Sequence, residues 1–373
     1  MRIAINTRFL LKNKLEGIGW FTYEVSKRLV AQHPEHEFVF FFDRPYDPEF
    51  VFGKNVKPVI LSPPARHPIL FYVWFEYAVT RALKKHQIDV FLSPDNFCTL
   101  RTKTPTVLVV HDLAYAHFPD QMRLRDRLYY RKFMPFFLKK ASHIVTVSEF
   151  TKQDILDQHP IDSERISVAC NGVRDVFQPL SKEEKNSIQQ EFAEGQDYFF
   201  YIGSVHPRKN VHRLINAFDL FKKQTQSNLK LLIAGRFSWQ TGEVKSAYDK
   251  AKYGADIQFL GYVDDELLPK LMGSAFALTY ISTFEGFGVP LLEAMHCEIP
   301  IITSEKSSMS EVVGDSAILV NPFDIQQISF AMQQMLEKKE IRQKLVEEGI
   351  IQRQKYSWEQ ATQIIYEACL KAH

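Results

Sequence analysis

Cysteine is scarce. The four present, Cys98, Cys170, Cys297 and Cys369, stand far apart with no C-x-x-C pair, which argues against a zinc ribbon and a disulfide framework and fits a reducing compartment. Net charge is nearly absent as well: at +2 the chain as a whole has no field suited to a polyanion such as nucleic acid, although local basic patches remain open. No apolar run approaches the roughly 18 residues that suggest a membrane span. The aromatic stretch from Ile69 to Tyr77 contains Glu76 and reads as part of a buried helix. The opening MRIAINTRF is strand-like, without the long apolar region and small-residue cleavage site of a secretory signal. These absences predict a cytoplasmic protein. Also missing is any Asp-x-Asp, the carboxylate pair with which many enzymes hold a hard divalent cation against a diphosphate.

What is present fits a two-domain α/β protein. A chain of 373 residues, 45% hydrophobic, is long enough for two domains that each bury a core. Short apolar runs at Ile3–Ile5, Phe38–Phe42, Val56–Leu61, Val90–Leu92, Thr106–Val110 and Ile144–Val147 alternate with helical segments at about Ile18–Val30 and Ile69–Lys85, the pattern of a parallel, doubly wound sheet. A turn signal at Asn171-Gly172 and a proline at Pro179 mark a linker. A second α/β series then starts at Tyr198. The last helix, Trp358 to Lys371, carries Trp358, Ala361, Ile365 and Ala368 near helical spacing and can cap either half.

Candidate functional residues fall where strands end. Residues 275–303 read as a strand from Ala275 to Tyr280, a glycine-rich turn, a helix and a second strand. Glu285 closes the first strand, and Gly286 and Gly288 flank Phe287, where a backbone without Cβ can approach a ligand. Pro290 fits the first helical position, which places Glu293 in the first turn beside free N–H groups. There it either complements the helix dipole or accepts hydrogen bonds from ribose hydroxyls. After the strand ending at Gly203 come Arg208 and Lys209 at a helix start, either a solvated pair or a seat for a diphosphate. His111-Asp112 follows TVLVV. Gly17-Ile18-Gly19 precedes the first helix but falls short of G-x-G-x-x-G, so no dinucleotide site is expected there. Finally, residues 122–142 mix basic and aromatic side chains. An amphipathic helix would turn Leu128, Phe133, Phe136 and Phe137 inward and Arg123, Arg127 and Lys139 to water, or offer a basic face to anionic lipid.

Glu285, Gly286, Gly288, Pro290 and Glu293 resemble, in order and spacing, the E-x7-E signature of retaining glycosyltransferases of family 4. Gly203-Ser204 with Pro207-Arg208-Lys209-Asn210 resembles the family's diphosphate-binding segment, His111-Asp112 its His-Asp step, and Gly17 its N-terminal glycine loop. One position departs from the pattern: Glu298 stands where the family usually has glycine. The resemblance implies the GT-B fold, two Rossmann-like domains with a cleft between them, here 1–175 on the acceptor side and 176–356 on the nucleotide-sugar side, with helix 357–373 packing back on the first. It further implies metal-independent, retaining transfer of a hexose from GDP-mannose or a UDP-sugar to a glycan or lipid-linked acceptor in polysaccharide biosynthesis. Glu285, His111, Arg208 and Lys209 would serve the reacting groups. Glu293, Gly286, Phe287, Gly288, Gly203, Arg236, Tyr262, Val263 and Gly17 would hold the nucleotide sugar, with no further cofactor and no metal. A membrane-peripheral location follows if the basic helix meets lipid. The rival readings are a nucleotide-sugar epimerase and a non-catalytic scaffold of the same fold.

Overall fold

A computed structural model describes residues 1–65, 67–237 and 241–373. The chain divides into two compact units, Met1–Gly172 together with Ser357–His373, and Val173–Tyr356. In the first, strands β1 (Arg2–Asn6), β2 (Glu37–Phe42), β3 (Val56–Ile60), β4 (Val90–Ser93), β5 (Thr106–Val110), β6 (His143–Thr146) and β7 (Ile166–Val168) form one sheet in the order β3-β2-β1-β4-β5-β6-β7. In the second, β8 (Tyr198–Ile202), β9 (Lys230–Ala234), β10 (Ile257–Gly261), β11 (Ala277–Tyr280), β12 (Ile301–Ser304) and β13 (Ala317–Val320) are ordered β10-β9-β8-β11-β12-β13. Every paired neighbour runs parallel.

The apolar runs become central strands because helices cover both faces of each sheet, so side chains pointing either way are buried. Ile3, Ala4, Ile5, Val107 to Val110 and Phe199 to Tyr201 are fully enclosed. In both sheets the strand order reverses beside the first strand of the unit, between β1 and β4 and between β8 and β11. Loops there diverge above and below the sheet, which makes that point the place where an open α/β sheet receives a ligand.

The helix Trp358–Ala372 belongs to the first unit. It lies along β4 to β7 and against the helix Gly17–Gln32. Trp358, Ala361, Ile365 and Ala368 are all buried.

The segment expected as one helix from Ile69 runs as Pro68–Val73, a π-helical turn Trp74–Val79, and Thr80–Lys85. Its middle is buried, including Glu76, but Ile69 and Tyr77 are exposed. A larger correction concerns the helix Leu124–Lys140. Tyr129, Met134, Phe137 and Leu138 face the core, whereas Leu128 and Phe136, expected inside, are 56% and 55% exposed. At 100° per residue the stripe containing 129, 134, 137 and 138 excludes 128 and 136, so the two stand outward beside Arg131 and Lys132. No helix among the described residues is long and apolar enough to cross a membrane.

Candidate functional site

In the second unit, the switch point between β8 and β11 gathers the strongest electrostatics. The loop after β8 tightens into a turn at Pro207–Lys209 before the helix Val211–Thr225. Asn210, fully buried in left-handed backbone, anchors it by donating to the carbonyls of Ile281 and Pro322 at 3.1 and 2.6 Å. The loop after β11 is stitched to it. Thr283 N donates to Arg208 O at 2.8 Å, and Arg208 donates to Phe284 O at 3.1 Å. Glycine is obligatory at one neighbouring corner: at Gly235 (φ 144°) a Cβ would sit 1.8 Å from the Gly203 carbonyl oxygen.

Within this frame Lys209 Nζ donates to Glu285 Oε1 at 2.6 Å and to the Tyr280 hydroxyl at 2.8 Å, and Tyr280 donates to the same Glu285 oxygen at 3.0 Å. Arg208 stands 4.0 Å from the other carboxylate oxygen. Burial pushes the Glu285 carboxyl up, but Lys209 and Arg208 outweigh it and hold the group below the usual carboxylate range. Tyr280 is pushed well above its ordinary value by burial and by the adjacent Glu285 charge, so it keeps its proton and serves as donor. Sequence reading had Glu285 reaching a sugar and Lys209 a diphosphate as separate groups. The structure instead joins them, with Tyr280 as an unforeseen third member.

The turn itself is latched by two serines that sequence reading missed. Ser307 Oγ accepts from Glu285 N at 3.0 Å, and Ser308 Oγ lies 2.9 and 3.0 Å from the Glu285 and Phe287 carbonyl oxygens, to which it donates. The Phe287 ring is spent on packing, edge-on to Tyr356 at 5.6 Å, which leaves its backbone as the part available to a ligand. The helix after the turn is Val289–His296, with Gly288 (φ 98°) as its cap and Pro290 in its second position. Glu293 is therefore the fifth helical residue and not in the first turn. It is buried all the same, and burial raises its pKa to about 7, with Arg174 pulling it down and Asp265 pushing it up. Arg174 in turn donates to Asp265 at 2.8 Å. Glu298 adopts left-handed backbone, φ 56°, which accounts for the preference for glycine at that place.

At the ends of β9 and β10, Arg236 lies over the exposed Tyr262 ring, 4.2 Å from its centroid. Val263 is half-buried next to it. Asp264 caps the next helix by accepting from Glu266 N and Leu267 N, so the acidic run at 264–266 is a helix start.

Gly17 and His111 lie in the first unit. Gly17 opens the helix Gly17–Gln32, with no atom within 4 Å of where a Cβ would stand. His111 follows β5, its backbone N donating to Asn96 Oδ1 at 2.7 Å and its Nε2 2.8 Å from Pro94 O. A carbonyl only accepts, so Nε2 carries the proton. Burial lowers the imidazole's pKa, and the neutral ring keeps an acceptor lone pair on Nδ1.

Two family models match nearly the whole chain: "Glycosyltransferase Family 4" over residues 15–176 and "Glycosyl transferases group 1" over 182–352. The chain is 28% identical over 364 residues to O-antigen chain mannosyltransferase B of Escherichia coli, covering 94% of this chain and 95% of that one. It is 30% identical over 262 residues to O-antigen chain mannosyltransferase RfbU of Salmonella typhimurium, covering 69% and 68%. Among solved structures, that of HepE from Anabaena in complex with UDP and glucose superposes with a TM-score of 0.77 at 17% identity, covering 98% of each chain.

Proposed function

The chain belongs to the group 1, family 4 glycosyltransferases, enzymes of the GT-B fold, and on that premise we propose that it moves a hexose from GDP-mannose or a UDP-sugar to a glycan or lipid-linked acceptor, with retention and without metal. The observation that carries this reading is the Arg208–Lys209–Glu285–Tyr280 cluster at the β8/β11 switch point. Two cations beside a helix start neutralise the charge that develops on a departing diphosphate, a preorganised arrangement that serves where a metal otherwise would. Glu293 accepts from the ribose hydroxyls, and Arg236, Tyr262 and Val263 flank the base. Gly203, Gly286, Phe287 and Gly288 bring backbone close to the phosphates and sugar. His111 accepts a sugar hydroxyl's hydrogen bond through Nδ1. No side chain is assigned as a nucleophile: the acceptor oxygen bonds to the anomeric carbon on the face from which the diphosphate departs, and the acceptor's proton passes to the departing phosphate oxygen.

The names of the relatives favour mannose as the sugar and an O-antigen-like acceptor, while UDP in HepE keeps the base open. The test is calorimetry with GDP-mannose, UDP-glucose and UDP-galactose, then initial transfer rates in EDTA and with added Mg²⁺ or Mn²⁺, with the product's anomeric configuration read by NMR. Activity retained in EDTA with retained configuration is expected. Loss in EDTA restored by metal, an inverted product, or an epimerised donor without transfer would overturn the reading.

The outer face of the helix Leu124–Lys140 favours a second element, contact with anionic lipid. Leu124, Leu128 and Phe136 are more than half exposed and are interleaved with exposed Arg125, Arg131 and Lys132. On the adjoining helix Ile69 and Tyr72 are exposed too, and the Tyr72 ring meets Phe133 at 5.9 Å. An apolar patch within a basic surround suits the headgroup boundary, and the location is then membrane-peripheral.

A further inference from the structure

The first unit carries a second cluster, far along the sheet from the groups assigned to transfer. The helix Gly17–Gln32 ends at His33, and the chain turns through His33-Pro34-Glu35-His36 into β2. Asn55 pins this turn: its side-chain amide donates to the carbonyl oxygens of Val30, His33 and His36 at 3.3, 3.4 and 3.2 Å. His36 N donates to His33 O at 3.1 Å. The turn thereby brings two imidazoles and a carboxylate to one place. Glu35 Oε1 stands 3.3 Å from His33 Nδ1 and 3.5 Å from His36 Nε2, and one donor atom from each of the three side chains lies within 4.8 Å of the others. Among the described residues no other group of three His, Cys, Asp or Glu side chains converges in this way.

The spacing has a chemical meaning. Ligand atoms about 2.0–2.1 Å from a tetrahedral ion stand about 3.3–3.4 Å apart, so the two Glu35 distances are already edges of such a tetrahedron, leaving the edge between the imidazoles to close on binding. Two imidazoles and a carboxylate suit a borderline divalent transition ion, Zn²⁺ above all, better than Mg²⁺ or Mn²⁺, which prefer all-oxygen sites. Both rings are braced from outside. His33 lies on the Tyr366 ring, 3.6 Å between centroids and 19° from parallel. His36 Nδ1 lies 3.2 Å from the Met1 amine; with Nε2 on an ion, Nδ1 carries the ring proton and the amine accepts it, in the unprotonated form an α-amino group reaches near about pH 8. An entry path is present too. Glu35 lines a cavity of about 410 Å³ with Met1, Arg2, Glu37, Gln87 and Asp89, where three carboxylates outnumber one guanidinium and one amine and favour a cation.

We infer that His33, Glu35 and His36 form a zinc site at the amino ends of β1 and β2, the opposite end of the parallel sheet from His111. The Tyr366 hydroxyl, 2.9 Å from His36 Nε2, stands beside the fourth position. Tyr366 belongs to the last helix, so the ion clasps that helix to the turn before β2. The test uses the whole chain, stripped of metal and dialysed at pH 8. Titration of ZnCl₂ against a chromophoric chelator should reveal one site. Zn²⁺, but not Mg²⁺ or Mn²⁺, should raise the melting temperature, since an ion that binds only the folded chain stabilises it, and Co²⁺ should give the intense visible absorption of a tetrahedral complex. Glu35→Gln removes the charge of a largely exposed side chain, and His33→Phe keeps a ring on Tyr366 while removing the nitrogen. Each should weaken zinc by about tenfold or more and abolish the cobalt band. Should His33→Phe fail to fold, Glu35→Gln alone decides. No single zinc site in the natural chain, no tetrahedral cobalt band, or zinc affinity unchanged in a folded variant would overturn the site. Binding of GDP or UDP should be the same with and without zinc, so failure of the site leaves the transferase reading intact.

Discussion

Glu285 and Glu293 lie eight residues apart and face opposite electrostatic problems. Glu285 keeps its charge because Lys209 and Arg208 oppose the effect of burial; Glu293 is raised to about 7 because burial disfavours its charge, and the pull of Arg174 is offset in part by Asp265. Removing Lys209 alone strands a buried carboxylate, a loss of up to about 3–5 kcal/mol. Lys209→Ala should therefore lower the melting temperature more than the double variant Lys209→Ala/Glu285→Ala, with transfer lost in both. Equal or larger destabilisation in the double variant, measured by denaturant titration, would show that the pair contributes no such coupling. Tyr280→Phe removes the proton that Tyr280 gives Glu285 and should lower kcat with little change in donor KM, since a positioning group acts on geometry more than on affinity. Glu293 predicts a pH dependence. Below its raised pKa the group is protonated and accepts poorly from ribose hydroxyls; as pH rises through about 7 it becomes the carboxylate. Affinity for a nucleotide sugar, whose diphosphate does not titrate in this range, should rise between pH 6 and 8 by at most about tenfold per unit. Glu293→Gln should flatten the profile, and a flat profile in the natural chain would remove the carboxylate from the ribose site.

Elements differ in how much of them the sequence reveals, for physical reasons. Strands buried on both faces are nearly continuous apolar runs, so β1, β2, β5, β8 and β9 could be placed before any coordinates. Glu293 was misplaced by one residue, enough to put it past the first turn, because Pro290 suits the first helical position, whereas Gly288, in left-handed backbone, caps the helix one residue earlier. Tyr280 escaped notice because inside an apolar strand its hydroxyl is indistinguishable from a core ring until the loops fold over it. Ser307 and Ser308 were invisible for the same reason, as their partners lie more than twenty residues away. The helix Leu124–Lys140 misled more seriously. With basic residues on nearly every turn, its apolar side chains fit two faces, and only packing decides that Leu128 and Phe136 point out. That outcome carries its own prediction. Sedimentation with vesicles containing phosphatidylglycerol should exceed that with neutral phosphatidylcholine vesicles and fall with salt, since each cation near an anionic surface contributes about 1 kcal/mol. Phe136→Glu and Leu128→Glu, both on the solvent side, should reduce it at least tenfold without lowering the melting temperature. Equal sedimentation with both lipids, or no effect of the variants, would reduce the patch to an exposed apolar surface.

At the scale of the molecule the two units are built differently from the chain. The second is one uninterrupted stretch, Val173–Tyr356, while the first is completed by residues from the far end, Ser357–His373. That last helix is structural cover for the first sheet. Trp358, Ala361, Thr362, Ile365, Ala368 and Cys369 are buried, Trp358 closes so tightly on Gly172 that no Cβ would fit there, and Arg28 and His36 reach Glu359 and Tyr366 at 2.8 and 2.9 Å. Burying a large apolar side chain contributes about 1.5–3 kcal/mol. Losing Trp358, Ile365 and their neighbours together thus approaches the whole of a domain's usual net stability, about 5–15 kcal/mol. A chain ending at Tyr356 should therefore lose the cooperative melt of the first unit, keep that of the second, and regain the first when a peptide of residues 357–373 is added. The fragment 173–356 should melt cooperatively by itself and bind GDP or UDP with an affinity close to that of the full chain, because Arg208, Lys209, Glu285, Glu293 and their supports all lie within it. If the fragment folds but binds nucleotide more than tenfold more weakly, the first unit supplies a nucleotide contact. If the truncated chain keeps both melts, the last helix is dispensable and its buried face contributes far less than its area implies.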